Sequence, residues 1–342
     1  MATLKDIAAL AKVNVSTVSK ALRGSSDINT ETASHIRELA IQLGYELPPP
    51  ISPANGEKYE KTIGVIFPEL ASQYYNSILY AFDRRMQEQG YRIVVSLTEF
   101  DCNQEMTAIK AFLRDGVSGI FLLTESTSHI HEIRRIFRKT QTPLMLVCTD
   151  NDIDFCDCIG INHTMGAAIA VNHLIKLGHR KIAYIGELHT EIRMNSFIST
   201  MKEHDLSLPD NYIVNLPERF EACGYKGMKR LLSEPDVPTA VFAAYDNIAY
   251  GAIRAIREAN LRIPEDISVI SIDANTTSEY LFPALTSINM PTRDIGELAS
   301  VLLRKRLEGQ HTASYQSVRL CPTLKLFEST CPPAEAEPVT AQ

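Results

Sequence analysis

TLKDIAALAKVNVSTVSKAL, from Thr3 to Leu22, contains two short helical patterns separated by a turn. Thr3 followed by Asp6 resembles a capping box, and Leu4, Ile7, Ala8 and Ala11 then share one helix face. After Lys12-Val13-Asn14 a second helix places Val18, Ala21 and Leu22 on its apolar side. A third begins near Asn29, a good N-cap, and turns Ile36, Leu39, Ala40 and Leu43 inward until Gly44. Three small helices with one shared apolar side describe an all-α head over residues 1–46.

If the second helix buries Val18, Ala21 and Leu22, its other face carries Val15, Ser16, Ser19 and Lys20 in one stripe, flanked by Thr17. Such a stripe is short enough to enter a major groove. There Lys20 can donate to guanine O6 and N7, Ser16 can bond to either kind of group, and Val15 can touch a thymine methyl. A solvated face of a small helical subdomain is the alternative that pattern alone leaves open.

Outward from the head, residues 47–61 form a Pro-rich linker. Pro48, Pro49, Pro50 and Pro53 disfavour a helix there and favour an extended spacer. From Thr62 the pattern alternates. Ile63–Phe67, Tyr91–Leu97, Gly119–Leu123, Pro143–Val147, Lys181–Gly186, Ala240–Ala244 and Ile267–Ile272 are compact apolar runs separated by amphipathic helices. That is the sign of parallel βαβ layers buried on both faces. Seven units exceed one comfortable sheet, so two doubly wound lobes are expected. The end of the chain, 331–342, is Pro- and Glu-rich and reads as a disordered tail.

Composition bounds the function. The chain has 342 residues, 45% hydrophobic and 22% charged, which suits a small module joined to a larger globular body. The net charge is −7, yet Lys5, Lys12, Lys20, Arg23 and Arg37 balance Asp6, Asp27, Glu31, Glu38 and Glu46 in the head, so the whole excess lies on the rest. No apolar run approaches the ~18 residues of a membrane span. MATLKDIAALAK does not read as a signal peptide, so a cytoplasmic setting is expected. Seven cysteines at irregular spacing fit free thiols. Cys156 and Cys158 resemble half a metal site, but no CxxC or His cluster supplies the other ligands, and no metal or cofactor is expected. GxGxxG after a strand, a P-loop, HExxH and GxSxG are all absent, which argues against an enzyme. His179, in a Gly-His-Arg loop without an obvious partner, reads as structural.

The stretch from Thr3 to Leu22, with LGY at Leu43–Tyr45, resembles the head of the LacI/GalR family of transcriptional regulators. Thr17-Val18-Ser19 stands at the family's offset from Asp6-Ile7-Ala8. LGHRKIAYIG at Leu177–Gly186, LRIPEDISVISID at Leu261–Asp273 and PALTSINMP at Pro283–Pro291 extend the resemblance almost to Thr330. It implies a body like that of periplasmic sugar-binding proteins over 62–330. Lobe one would be 62–161 with 292–320, and lobe two 162–291 with 321–330. The chain would cross between them near Asn162, near Met290–Thr292 and near Cys321–Pro322.

The resemblance also implies a repressor, not an enzyme, that binds operator DNA as a homodimer through Val15, Ser16, Thr17, Ser19 and Lys20. A small effector, a sugar or sugar acid first and a nucleoside or phosphocarrier protein next, would control it. Tyr74, Tyr75, Arg193, Phe220, Asp246 and Asp273 occupy positions that match ligand contacts. Asp273 also ends a strand, where ligands of open parallel sheets sit. This sequence departs from the family at several points. Lys12 stands where a glycine is usual, Ala33 replaces a backbone-gripping arginine, Tyr245 replaces a frequent asparagine, and prolines occupy the usual hinge helix. A transport-type binding protein would keep the lobes but lack the head.

Overall fold

In a computed structural model of the chain, residues 3–22, 28–43, 45, 61–149, 153–310 and 314–334 are described. The Pro-rich linker, apart from Lys61, and the end of the tail lie outside them. The head is α1 (Leu4–Ala11), α2 (Val15–Leu22) and α3 (Thr30–Gln42). Thr3 donates from both its N–H and its hydroxyl to the Asp6 carboxylate, at 2.8 and 2.7 Å, which fixes the start of α1. Asn29 Oδ1 accepts the Thr32 N–H at 2.8 Å and caps α3. Ile7, Ala8, Val18, Ala21, Leu22, Ile36 and Ala40 close on one another as the head's core, with Leu39 and Leu43 packed at its margin.

The body begins with β1 (Thr62–Phe67), α4 (Gln73–Gln87), β2 (Arg92–Leu97), α5 (Cys102–Asp115), β3 (Gly119–Leu123), α6 (Ile130–Phe137), β4 (Leu144–Cys148) and β5 (Asp157–Ile161). It continues through α7 (His163–Lys176), β6 (Ile182–Glu187), α8 (Glu191–Glu203), β7 (Ile213–Leu216), α9 (Phe220–Leu232), β8 (Ala240–Ala243), α10 (Asp246–Glu258), β9 (Ser268–Asp273) and β10 (Thr286–Asn289). The last elements are α11 (Thr292–Leu307), β11 (Ser317–Leu320) and β12 (Thr323–Lys325).

Two six-stranded sheets result, ordered β11-β5-β4-β3-β1-β2 and β12-β10-β9-β8-β6-β7. Every pairing is parallel except β12 against β10. The chain leaves the first sheet after β5, returns after β10, and leaves again between β11 and β12. It therefore crosses at Asn162, Met290–Pro291 and Cys321–Pro322. Asn162 Oδ1 accepts the Met165 N–H at 2.9 Å, so the first crossing is also the cap of α7. β1, β3, β4, β5 and β6 are buried along their whole length, as interior parallel strands must be.

The twelve strands among the described residues exceed the seven apolar runs. β5 (DCIGI) carries an acid and a glycine, and β10 (TSIN) is polar by sequence yet buried over Thr286–Ile288, so neither reads as an apolar run. β7, β11 and β12 are short and lie at or near the sheet edges. At the other end of the chain, the backbone is tied down to Cys331. Its N–H donates to Ser268 Oγ at 3.0 Å, and its carbonyl lies 2.8 Å from His179 Nε2. The ordered body thus reaches past residue 330. His179 also lies 2.9 Å from Thr239 Oγ1, which gives it a structural place between strands.

Helices α9 and α10 meet through glycines. A Cβ on Gly224 would stand 1.8 Å from the Ile248 carbonyl oxygen, and one on Gly251 2.0 Å from that of Glu221. Backbone cannot yield cheaply at such distances. We expect Gly224→Ala to cost about 2–3 kcal/mol. Gly166→Ala, whose added carbon meets nothing nearer than 3.6 Å, should be neutral or slightly stabilising. Urea-unfolding midpoints of the two variants check this: equal midpoints would mean that α9 and α10 do not pack this closely.

Candidate functional sites

On α2 the buried side is Val18, Ala21 and Leu22, as required for the opposite face to be presented outward. Val15, Ser16 and Lys20 are exposed, and Thr17 and Ser19 are half-buried between the two faces. Lys12, which ends α1, has φ 53° in the left-handed region, so the backbone that glycine usually supplies is kept by a lysine at some strain. Ala33 is half-buried against the head's core.

The body holds a cavity of about 320 Å³ between the two sheets, lined from the carboxyl ends of β1, β2, β3, β6, β7, β8 and β9. Tyr74, Tyr75, Arg193, Phe220 and Asp273 all line it. Tyr74 and Tyr75 open α4, behind the Ser72 cap, whose Oγ accepts the Tyr74 N–H at 3.1 Å. The Tyr75 hydroxyl donates to Glu125 at 3.0 Å, and the other Glu125 oxygen stands 3.5 Å from His163 Nε2. His163 Nδ1 lies 3.3 Å from Arg193 Nη2, which in turn stands 3.6 Å from Asp273 Oδ1. Arg193 Nη1 donates to the Ala244 carbonyl at 2.6 Å. One buried chain of polar groups thus runs from lobe one to lobe two.

Burial sets the protonation in this chain. It pushes the Asp273 carboxyl up to about 7, with Arg193 only partly opposing. It pushes the His163 imidazole down, and the nearby Arg193 charge adds to the effect. For Glu125 burial also acts upward, but the His163 and Tyr75 hydrogen bonds and the Arg193 charge outweigh it, and the net direction is down. Tyr74 and Tyr75 are both pushed well up, chiefly by burial.

Asp246 does not line the cavity, which corrects its expected place among the ligand contacts. It is fully buried, and its carboxylate accepts from Ser271, Ser278 and Ser287 hydroxyls and from the Asn275 N–H at 2.6 Å. Four donors leave it no capacity for a ligand. Its work is to hold the loops after β9 and the start of β10. Tyr245 does line the cavity, and its hydroxyl accepts the Phe220 N–H at 3.1 Å. Phe220 sits at φ 55°, with the Arg219 guanidinium 4.5 Å over its ring.

Sequence reading missed several wall residues. Arg219 grips Glu69 of lobe one through Nη1 and Nη2 at 2.7 and 3.1 Å, and Glu187 of lobe two through Nε at 2.9 Å. Its guanidinium also lies 5.1 Å from the Phe100 ring, which stacks on His189 at 4.1 Å. Glu125 and Glu187 fall at or just beyond the ends of the GIFLL and KIAYIG runs, so the rule that ligands gather at strand carboxyl ends could have found them. The Glu69–Arg219 pairing spans 150 residues and carries no local signal.

Residues 3–47 match the family model described as bacterial regulatory proteins, lacI family, and residues 171–330 match a periplasmic binding protein-like domain. The ribose operon repressor of Escherichia coli (strain K12) is 31% identical over 332 residues, covering 95% of this chain and 98% of that repressor. A lac repressor dimer bound to operator and the anti-inducer ONPF superposes with TM-score 0.70 at 26% identity, covering 96% of this chain and 99% of that one. A LacI family regulator from Enterococcus faecium with bound ribose gives 0.67 at 26% identity, covering 80% and 99%. The chain belongs to the lacI family of bacterial regulatory proteins. It is a DNA-binding transcriptional regulator rather than an enzyme. No helix among the described residues is long and apolar enough to cross a membrane, and no group of three or more potential metal ligands occurs among them.

The raised Asp273 fixes the sign of a pH effect. An unfolded aspartate ionises near 3.8, the folded one near 7, so between these values the native state holds the extra proton and stability falls as pH rises. Asp273→Asn removes that loss. Its stability advantage over the parent should grow from about pH 4 to about pH 7, reach roughly 2–4 kcal/mol, and then level off. Urea unfolding of both proteins across that range checks it. A constant difference would show that Asp273 ionises normally.

Proposed function

We propose that the chain represses transcription by binding operator DNA as a homodimer, under the control of a small polyhydroxylated metabolite held in the interlobe cavity. The observation that carries this reading is the Tyr75–Glu125–His163–Arg193–Asp273 chain. It joins both lobes across a cavity of monosaccharide scale, in a chain whose N-terminal segment has a helix-turn-helix sequence. Tyr74, Tyr75, Arg193, Phe220 and Asp273 contact the effector, and Asp246 supports them from behind. Residues 1–46 read DNA, 47–61 link them to the body, and 62–330 bind effector and partner, with the body's anchoring extended to Cys331. The cytoplasm is the setting. The ribose held by the Enterococcus faecium relative supports a sugar-like effector. Selection from a random DNA pool should enrich a near-palindrome, and a metabolite should release or tighten the complex in a gel shift. Enrichment of no sequence would overturn the proposal.

On α2, exposed Lys20 is the donor suited to guanine. Lys20→Ala should relax specificity at one base pair per half-site, at a cost of roughly 1–3 kcal/mol. Competition gel shifts with single-base operator variants read this, and an unchanged ranking of variants would remove Lys20 from base reading.

Tyr280 and Phe282 are 86% and 84% exposed, side by side after β9, with half-buried Leu281 between them. Apolar exposure of that size fits a covered surface, and the dimeric lac repressor relative supports a second copy of this chain as the cover. Phe282→Asp should weaken dimerisation by about tenfold or more. Sedimentation velocity at micromolar concentration checks this, and a parent-like dimer in the variant would place the interface elsewhere.

A further inference from the structure

The cavity carries more negative charge than its arginines balance. Glu69, Glu125, Glu187 and Glu191 line it, with Glu105 and Asp273, whose burial favours their protonated forms, against the guanidiniums of Arg193 and Arg219. Arg219 is occupied by Glu69 and Glu187, and Arg193 by the Ala244 carbonyl, His163 and Asp273. With its proton affinity lowered by burial, His163 adds no offsetting charge at neutral pH. Glu105 is buried too, and the same desolvation holds its carboxyl above the usual range despite hydrogen bonds from Thr124 and His129.

A second observation points the same way. Two buried polar atoms in the cavity wall, Tyr74 Oη and Asp273 Oδ1, have no hydrogen-bond partner. They come from opposite lobes, and Tyr74 lies in the field of both Glu125 and Asp273. Asp273 Oδ1 has only the Arg193 Nη2 ion pair at 3.6 Å, and a charged donor at hydrogen-bond distance satisfies such a desolvated oxygen better than a neutral one. The rings of Tyr74, Tyr75, Phe100 and Phe220 also line the space, and aromatic faces attract cations. An anionic ligand, in contrast, would add negative charge where both lining guanidiniums are already engaged.

We propose that the effector is a hydroxylated amine, of the amino-sugar kind, whose ammonium group sits against Asp273, Glu125 and the Tyr74 hydroxyl, and that sugar acids and sugar phosphates are rejected. This rests on the reading of the cavity as the effector site. Hydroxyls of the same ligand take up the remaining polar wall, and its apolar face lies on the rings.

Calorimetry on the full chain at about pH 7.5, near the ionisation range of such amines and above that of Asp273 in the empty site, tests this. The probes are D-glucosamine and D-galactosamine, their parent hexoses, their N-acetyl derivatives, D-ribose, D-glucuronate and D-ribose 5-phosphate. An amine should bind about tenfold or more tightly than its parent hexose and its N-acetyl derivative, as expected for a charged over a neutral donor. Glu125→Gln should shrink that margin to within about threefold. A neutral sugar that binds as tightly as any amine, with binding lost in Arg193→Ala, overturns the charge assignment and leaves the effector site standing. So does tighter binding of glucuronate or the phosphate. Binding that is indifferent to both Arg193→Ala and Asp273→Asn overturns the site itself, and heat from none of the probes overturns both.

Discussion

Arg193 carries a full charge at 9% exposure, and the geometry of the cavity follows from what that charge requires. Removing a guanidinium from water costs several kcal/mol unless acceptors surround it. Its acceptors come from separate elements: the Ala244 carbonyl just past β8, Asp273 at the end of β9, and His163 at the start of α7. The requirement propagates. His163, held as the neutral imidazole, stands beside Glu125 at the end of β3, and Glu125 accepts from Tyr75 on α4. A single buried cation therefore aligns strand ends of both sheets. Asp273 meets its part of this demand at φ 110°, a strained backbone for a residue with a side chain. The strain is held by the loop beyond it, where the Ala274 N–H donates to Ser287 Oγ and the Asn275 N–H to Asp246.

That loop explains why the sequence distinguishes poorly between Asp246 and Asp273. Each is an aspartate just after or at the end of an apolar run, and each stands where a ligand contact is expected. What separates them is the count of donors supplied by residues remote in sequence. Ser271, Ser278, Ser287 and Asn275 saturate Asp246, whereas Asp273 keeps an oxygen with no hydrogen bond, only the Arg193 guanidinium at 3.6 Å. The same limit applies to Arg219, whose partners lie 150 and 32 residues away. Legible from sequence were the features governed by local chemistry: the Thr3–Asp6 and Asn29 caps, the apolar stripes of the head, the seven strands of compact apolar sequence, and the strand-end position of Asp273. Strands whose burial is imposed by the sheet rather than by their own composition, such as β5 and β10, were not. Their side chains become interior because neighbours cover them, and no periodicity announces it.

The three crossings bear on how occupancy of the cavity can move the lobes. Asn162 is at once the first crossing and the cap of α7, and the next residue is His163 in the buried polar chain. A group that touches the ligand wall thus follows the pivot by one residue. Across the cleft, lobe one meets lobe two through Glu69–Arg219, through Gln73 Nε2 donating to Thr276 Oγ1 at 2.9 Å, and through Phe100 stacked on His189. Opening the cleft breaks all three and frees the desolvated Glu69 and Arg219 to regain water, so the cost of opening is smaller than the contacts alone suggest. A ligand shifts such an equilibrium only by the difference in its affinity for the two arrangements. Tyr74 Oη, without a hydrogen bond, and Asp273 Oδ1, met only by Arg193 Nη2 at 3.6 Å, come one from each lobe and would supply that difference in the proposed effector site. Under the proposed reading, a molecule that satisfies both is held by both lobes only while they are together, so closure and recognition would draw on the same pair of atoms.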